Sequence, residues 1–318
     1  MTSTATVPAP VTRPLDLGAA ALLILICAIW GGNTTAVKIA SEGISPVFQA
    51  GLRSIGSGVL LMFWCWFRGI RLFKLDGSLW LGLLVGVLFS LEFGLLYVGL
   101  SMTEVSRAVL FIFTAPFVTA LGAHFFVPSE RLTPLKWLGL LLAFTAVAVV
   151  FSSGLTMPKP DQILGDLLCL AMGITWGIEN VIIKVSRLSR IEPERILFYD
   201  LSVSAVLLMG GALLIGEAGI FAPSLRVFAG LAFAIVAVSF ASYLIFTGML
   251  RRYEAAALAS FIFLSPIFGV MIATLLLGEP LTLPLLIALG LNALGIVLVN
   301  RKPRQAHRVK RPCGTKRS

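Results

Sequence analysis

Charge in this sequence comes in short clusters, and between the clusters run apolar stretches of about twenty residues, the length at which a helix rising 1.5 Å per residue crosses a hydrocarbon core. Of the 318 residues 58% are hydrophobic and 13% charged, where a soluble domain carries roughly a quarter charged. No polar surface remains to clothe a soluble core. The runs predict spans at 17–38, 46–67, 77–99, 106–126, 134–152, 163–184, 195–216, 226–249, 255–277 and 281–299. Open strands cannot satisfy their edges in lipid, and the alternation of a membrane barrel is missing. The expectation is an all-α integral membrane protein of ten transmembrane helices.

The formal net charge of +10 does not point to nucleic acid. Eight of the Lys and Arg residues fall in the tail "RKPRQAHRVKRPCGTKRS", residues 301–318, which holds no acid. Such a block reads as a solvated segment attracted to anionic lipid headgroups, and it lacks interleaved aromatics or a nucleic-acid reading motif. Lys and Arg elsewhere set the orientation. With the N-terminal segment 1–16 in the cytoplasm, that side collects twelve of them before the tail is counted, and the opposite side only Lys38, Arg107, Lys159 and Arg226. Both termini are expected in the cytoplasm.

The chain is also duplicated. "AIWGGNTTAVK" at 28–38 recurs as "ITWGIENVIIK" at 174–184, with Trp30, Gly31 and Lys38 matched by Trp176, Gly177 and Lys184, and Asn33 by Glu179. "FIFTAP" at 111–116 recurs as "FIFLSP" at 261–266, "SERLT" at 129–133 as "GEPLT" at 278–282, and Pro46 and Pro193 open equivalent spans. Five spans per repeat is an odd number, so the second copy must be inverted, an arrangement in which carriers place the substrate near midplane between halves.

Together these landmarks resemble the drug/metabolite transporter superfamily, and within it the EamA-type members with two tandem EamA domains, here 17–152 and 163–300. The resemblance implies a ten-helix carrier of the bacterial inner membrane. It also implies export of amino acids or related metabolites from a cavity between two five-helix halves. It supplies no universal set of functional residues.

An ionisable residue in mid-bilayer costs about 2.5–3.5 kcal/mol on insertion scales and needs a partner, water or a role. Arg53, Glu92, His124, Glu179 and Asp200 are of this kind. Glu92 lies about ten residues from the nearer end of its span, too deep for a short side chain to reach water. It is the candidate proton relay, the alternative being a protonated carboxyl bonded to a neighbouring helix. Glu179 is either a cavity acid or an acid at a wet helix end paired with Lys184 or a basic loop residue. Arg53 and Asp200 hold equivalent places, but inversion puts them at different depths and favours separate partners. His124 reads as structural, and Lys38 and Lys184 as end-of-span lysines reaching headgroups or last carbonyls.

Trp30, Asn33, Glu92, Tyr97, Trp176, Glu179, Asn180 and Tyr243 are the expected cavity residues, with Phe93, Phe111 and Phe113 adding aromatic surface. Gly31 and Gly32 let helix backbones approach. Gly82 and Gly86 form a small-residue face, for internal packing or for a homodimer. A small-molecule substrate, membrane lipid and protons are the expected partners, with no nucleic acid. No cofactor or metal site is expected, since the four cysteines show no paired spacing and the two histidines sit in no ligand motif. Catalytic motifs are likewise missing, which argues against an enzyme. The alternative to a solute carrier is a lipid flippase or a non-transporting membrane subunit.

Overall fold

The computed structural model of the chain describes residues 13–74, 76–103, 105–151, 160–277 and 283–301. Among them regular structure is helical, and eight helices are long and apolar enough to cross a membrane, with two shorter apolar helices at 134–149 and 286–300. The protein is an all-α, multi-span membrane protein. The repeated landmark "GEPLT", the basic tail beyond Arg301 and Lys159 lie outside the described residues, as does the side chain of Lys38.

The helices are α1 (Leu17–Ser41), α2 (Pro46–Arg68), α3 (Leu79–Met102), α4 (Val105–Ile112), α5 (Ala115–Phe126), α6 (Pro134–Phe151), α7 (Pro160–Val185), α8 (Pro193–Leu214), α9 (Leu225–Phe233), α10 (Tyr243–Arg252), α11 (Ala255–Ile262), α12 (Ser265–Leu277) and α13 (Leu283–Asn300). Their ends follow local chemistry. Asp16 caps α1 by accepting from the Ala19 amide at 2.8 Å, and Gly69, at φ +64°, closes α2 in the left-handed region. Pro46 and Pro193 open α2 and α8, where a missing amide hydrogen costs nothing. The α2 N-terminus also receives the Glu217 carboxylate, which accepts from Val47 (3.1 Å) and Phe48 (2.7 Å).

Two expected spans are broken. The fourth is interrupted at Phe113–Thr114, between α4 and α5, and the ninth at Phe263–Leu264, between α11 and α12. Both breaks sit just before the prolines of the repeated motif, Pro116 and Pro266, where the ring removes an amide donor. The eighth span contains a π-helical stretch, Ala234–Ser242, joining α9 to α10.

Helix α3 packs between α7 and α8. A Cβ on Gly82 would come within 2.3 Å of the Tyr199 ring, and one on Gly86 within 2.7 Å of the Tyr199 carbonyl. The small-residue face is therefore spent on internal packing with α8. Both described chain ends meet at one end of the bundle. Arg13 donates to the Arg252 carbonyl at 2.9 Å and Tyr253 donates to Asp16 at 3.2 Å. Lys136 pairs with Glu254, and α6 runs antiparallel to α13, Gly139 lying against Gly295.

The loop before α3 is fixed by Arg195, whose side chain is buried at the start of α8. It bonds the Asp76 carboxylate, the Ser78 hydroxyl (3.1 Å) and the Leu72 carbonyl (3.2 Å). Arg195 and Ser78 hold Asp76 well below the usual carboxylate range. A depressed carboxyl stabilises the fold above its ordinary titration and loses that contribution as pH falls toward the lowered value. Asp76→Asn should therefore lower the melting temperature at pH 7. In a thermal-shift series the gap from the parent should stay constant above about pH 5 and narrow below about pH 4.

Candidate functional site

The aromatic residues of the duplicated motif meet in the centre of the bundle. Trp30 stands edge-on to Trp176 with ring centroids 5.6 Å apart, and it touches Tyr243 at 5.5 Å and Phe246 at 5.1 Å. Its indole N–H donates to the Ser242 hydroxyl at 2.8 Å, and Ser242 donates to the Val238 carbonyl at 2.5 Å. A wide π turn leaves backbone carbonyls off the regular ladder, and these hydroxyls serve them. Ser57 does the same for Ile235 at 3.0 Å.

Above this cluster opens a cavity of about 530 Å³. Its floor is Trp30, Trp176, Tyr243 and Phe93, and its far rim carries Glu42 and Arg226, an exposed ion pair at 3.5 Å. That rim lies at the end of the bundle away from the chain ends. Both helix breaks contribute: Ile112 and Phe113 line the cavity from one side, Ser265 and Pro266 from the other. The freed carbonyls are still served. Thr114 donates to Phe111 at 2.7 Å, and the Cys27 thiol donates to Phe261 at 3.1 Å.

On the opposite side of Trp176 lies a second cavity of only about 10 Å³, bounded by Thr119, Asn180, Leu250 and Ala255. The indole of Trp176 borders both spaces.

A buried polar group stands behind the aromatic floor. Glu92 is fully enclosed, and its Oε1 accepts from the Tyr243 hydroxyl at 3.5 Å while Oε2 has no partner among the described residues. Glu179, also buried, is near enough to Glu92 for the two carboxyls to interact electrostatically, with no hydrogen bond between them. Arg53 presses its guanidinium onto the Phe93 ring, 3.5 Å from the centroid, and none of its nitrogens has a hydrogen-bond partner among the described residues. Asp200 is buried with one oxygen unpartnered. Among the described residues Arg53 and Asp200 form no ion pair with each other.

Two stretches, residues 17–152 and 163–301, match the EamA-like transporter family. The chain belongs to the EamA-like transporter family. Relatives span nearly its whole length. "Uncharacterized transporter YvbV" of Bacillus subtilis is 27% identical over 90% of this chain and 92% of its own. "Uncharacterized inner membrane transporter YedA" of Escherichia coli K12 is 27% identical over 87% and 89%. "Probable amino-acid metabolite efflux pump" of Salmonella typhimurium is 28% identical over 87% and 91%. A crystal structure at 19% identity superposes with a TM-score of 0.75 over 89% of this chain and 98% of that one, which shows a shared fold. These relatives are transporters, and this EamA-like transporter is not an enzyme.

Of the residues expected at the cavity, Trp30, Asn33, Trp176 and Tyr243 line it. Glu92 and Glu179 sit behind the floor, Tyr97 is buried with its hydroxyl unpartnered, and Asn180 borders the small cavity. The pairing of Glu179 with Lys184 is corrected: Lys184 is buried and pairs with Glu130 at 2.9 Å. Lys184 does not reach headgroups. It does satisfy carbonyls, but those of Leu250 (3.0 Å) and Tyr253 (2.6 Å) at the end of α10. His124 is structural, its Nδ1 accepting from the Leu132 amide at 2.9 Å. Sequence reasoning missed Ser242 and the π stretch, because "AIVAVSFAS" carries neither proline nor glycine to signal a break.

Gly31 accounts for the close approach expected of the motif, and Gly32 does not. A Cβ at Gly31 would lie 2.6 Å from both the Gly269 amide nitrogen and the Ser265 carbonyl oxygen, whereas one at Gly32 would touch the Phe233 ring at an ordinary 3.6 Å. Gly31→Val should destabilise the fold by about 1–3 kcal/mol through overpacking against backbone. Gly32→Ala should unfold within about 0.5 kcal/mol of the parent. Thermal denaturation of both variants in detergent measures the contrast.

Proposed function

We propose that this chain is a secondary carrier, working as an exporter, that moves small amphipathic metabolites across the bacterial inner membrane by alternating access. Amino acids and related solutes are the favoured class. The observation that carries this reading is the central cavity, open toward one end of the bundle and reduced to about 10 Å³ beyond Trp176 toward the other. A cavity of mostly apolar wall with a few polar groups suits a solute that has both an apolar body and a hydrogen-bonding end. The relative named as an amino-acid metabolite efflux pump supports the same class.

The carrier consists of ten spans in two inverted five-helix halves, 17–152 and 163–300, with both termini in the cytoplasm. Packing supports the inversion. Helix α1 lies on α9 and on the broken α11–α12 pair, and α7 lies on α3 and on the broken α4–α5 pair, the same neighbours with the halves exchanged. The positive-charge bias supports the orientation. Without a nucleotide-binding segment in the sequence, transport draws on a gradient, and Glu92 is the group proposed to exchange a proton as the cavity changes sides. The proximity of Glu92 to Glu179 supports this, since two neighbouring buried carboxyls retain a proton in preference to carrying two negative charges.

Purified protein in sealed liposomes should move at least one solute from an amino-acid and metabolite panel faster than empty vesicles do, without ATP. A panel with no such solute, alongside leaflet exchange of a labelled lipid, would establish a flippase instead. Glu92→Gln should insert and fold yet lose at least tenfold of proton-gradient-driven flux, while solute exchange at equal pH continues. A variant matching the parent in rate and pH dependence would remove the proton relay.

A further inference from the structure

Lys184 and Glu130 are each only 1% exposed, and together they close the end of the bundle where the described chain begins and ends. The ammonium donates to the Leu250 carbonyl at 3.0 Å and the Tyr253 carbonyl at 2.6 Å, and it stands 2.9 Å from Glu130 Oε1 as an ion pair without hydrogen-bond geometry. The second Glu130 oxygen accepts from the Ala255 amide at 2.8 Å. One ion pair thereby joins the last turn of α7, the end of α10, the start of α11 and the turn between α5 and α6.

Of those elements α7, α10 and α11, together with α5, wall the small cavity beyond Trp176. Leu250 and Ala255 belong to both structures, lining the cavity and bonding the pair. We propose that Lys184 and Glu130 form the latch of the gate at this end, and that the small cavity is the collapsed half of the transport path behind it. The proposal rests on the carrier reading above.

Physical chemistry favours a charged latch over an apolar one for a gate that must part repeatedly. Two buried charges give up hydration that their mutual attraction only partly repays, so the closed state is held by a small margin. When the gate opens, water returns to the ammonium, the carboxylate and the two carbonyls, and much of the lost bonding is replaced. A sealed apolar contact gains nothing comparable from water. The sequence carries the same two residue types at the matching repeat positions, Lys38 and Glu279.

The test is access of water-soluble reagents to the two halves of the path, which requires no knowledge of the substrate. In a Cys313→Ser background, Thr119→Cys reports the small cavity and Thr35→Cys the large one. Each is labelled with a membrane-impermeant maleimide in detergent-solubilised protein, and the labelling of the parent is subtracted. Lys184→Met, and separately the milder Glu130→Gln, should raise the labelling rate at Thr119→Cys at least tenfold and lower it at Thr35→Cys at least threefold. Rates that rise together at both positions would mean general loosening and overturn the latch, as would unchanged rates at both. Loss of solute movement in the liposome panel, with the reciprocal labelling intact, would refute the carrier reading and leave the gate standing.

Discussion

Hydrocarbon offers no hydrogen bonds to a backbone, so a helix inside a bilayer can be interrupted only where something else serves the freed groups. The architecture around the cavity follows from that constraint. Both proline-associated breaks and the π stretch lie against the central space, and each has a side chain in attendance: Thr114 on Phe111, Cys27 on Phe261, Ser57 on Ile235 and Ser242 on Val238. Ser242 then accepts from Trp30, so the repair of one helix positions the ring that floors the cavity. Backbone satisfaction and site construction are one arrangement.

The polar groups behind that floor are placed differently. Arg53 has an aromatic face for a neighbour and no hydrogen-bond acceptor among the described residues, while Glu92, Tyr97 and Asp200 each keep an unpartnered atom. Buried polar atoms in native proteins are nearly always bonded, so this concentration of exceptions behind the cavity floor sets the region apart from the rest of the core. By contrast two arginines near the ends of the bundle are well bonded. Arg195 is saturated by Asp76, Ser78 and carbonyls, and Arg107 forks onto Asp166, which also accepts from Thr103 at 2.7 Å. These two sites anchor loops and helix ends, whereas the groups behind the cavity floor lack such anchors.

Much of the site was legible from residues alone. A mid-span carboxylate is costly whatever surrounds it, so Glu92 could be singled out by depth. The Trp-Gly pair announced itself by repetition, as did the prolines of "FIFTAP" and "FIFLSP". Three things were not legible. Lys184 reads as an end-of-span lysine because its neighbours in sequence are apolar; its partners are 54 to 69 positions away, at Glu130, Leu250 and Tyr253. Gly82 and Gly86 could have served a second copy of the chain, and only the position of Tyr199 shows that α8 occupies their face. The π stretch depends on Ser57 and Trp30, neither of them local to it.

The sequence by itself determined the class, the family and the placement of scarce polar residues within apolar runs, because membrane insertion acts on each segment through its own composition and length. It also displayed the repeated prolines beside which two spans are interrupted, although those spans read as continuous from composition alone. Tertiary structure alone decided which glycine touches backbone and which partners hold Lys184 at the end of the bundle. Those outcomes depend on distances between segments far apart in the chain, and apolar periodicity fixes that a helix packs but not which helix it packs against.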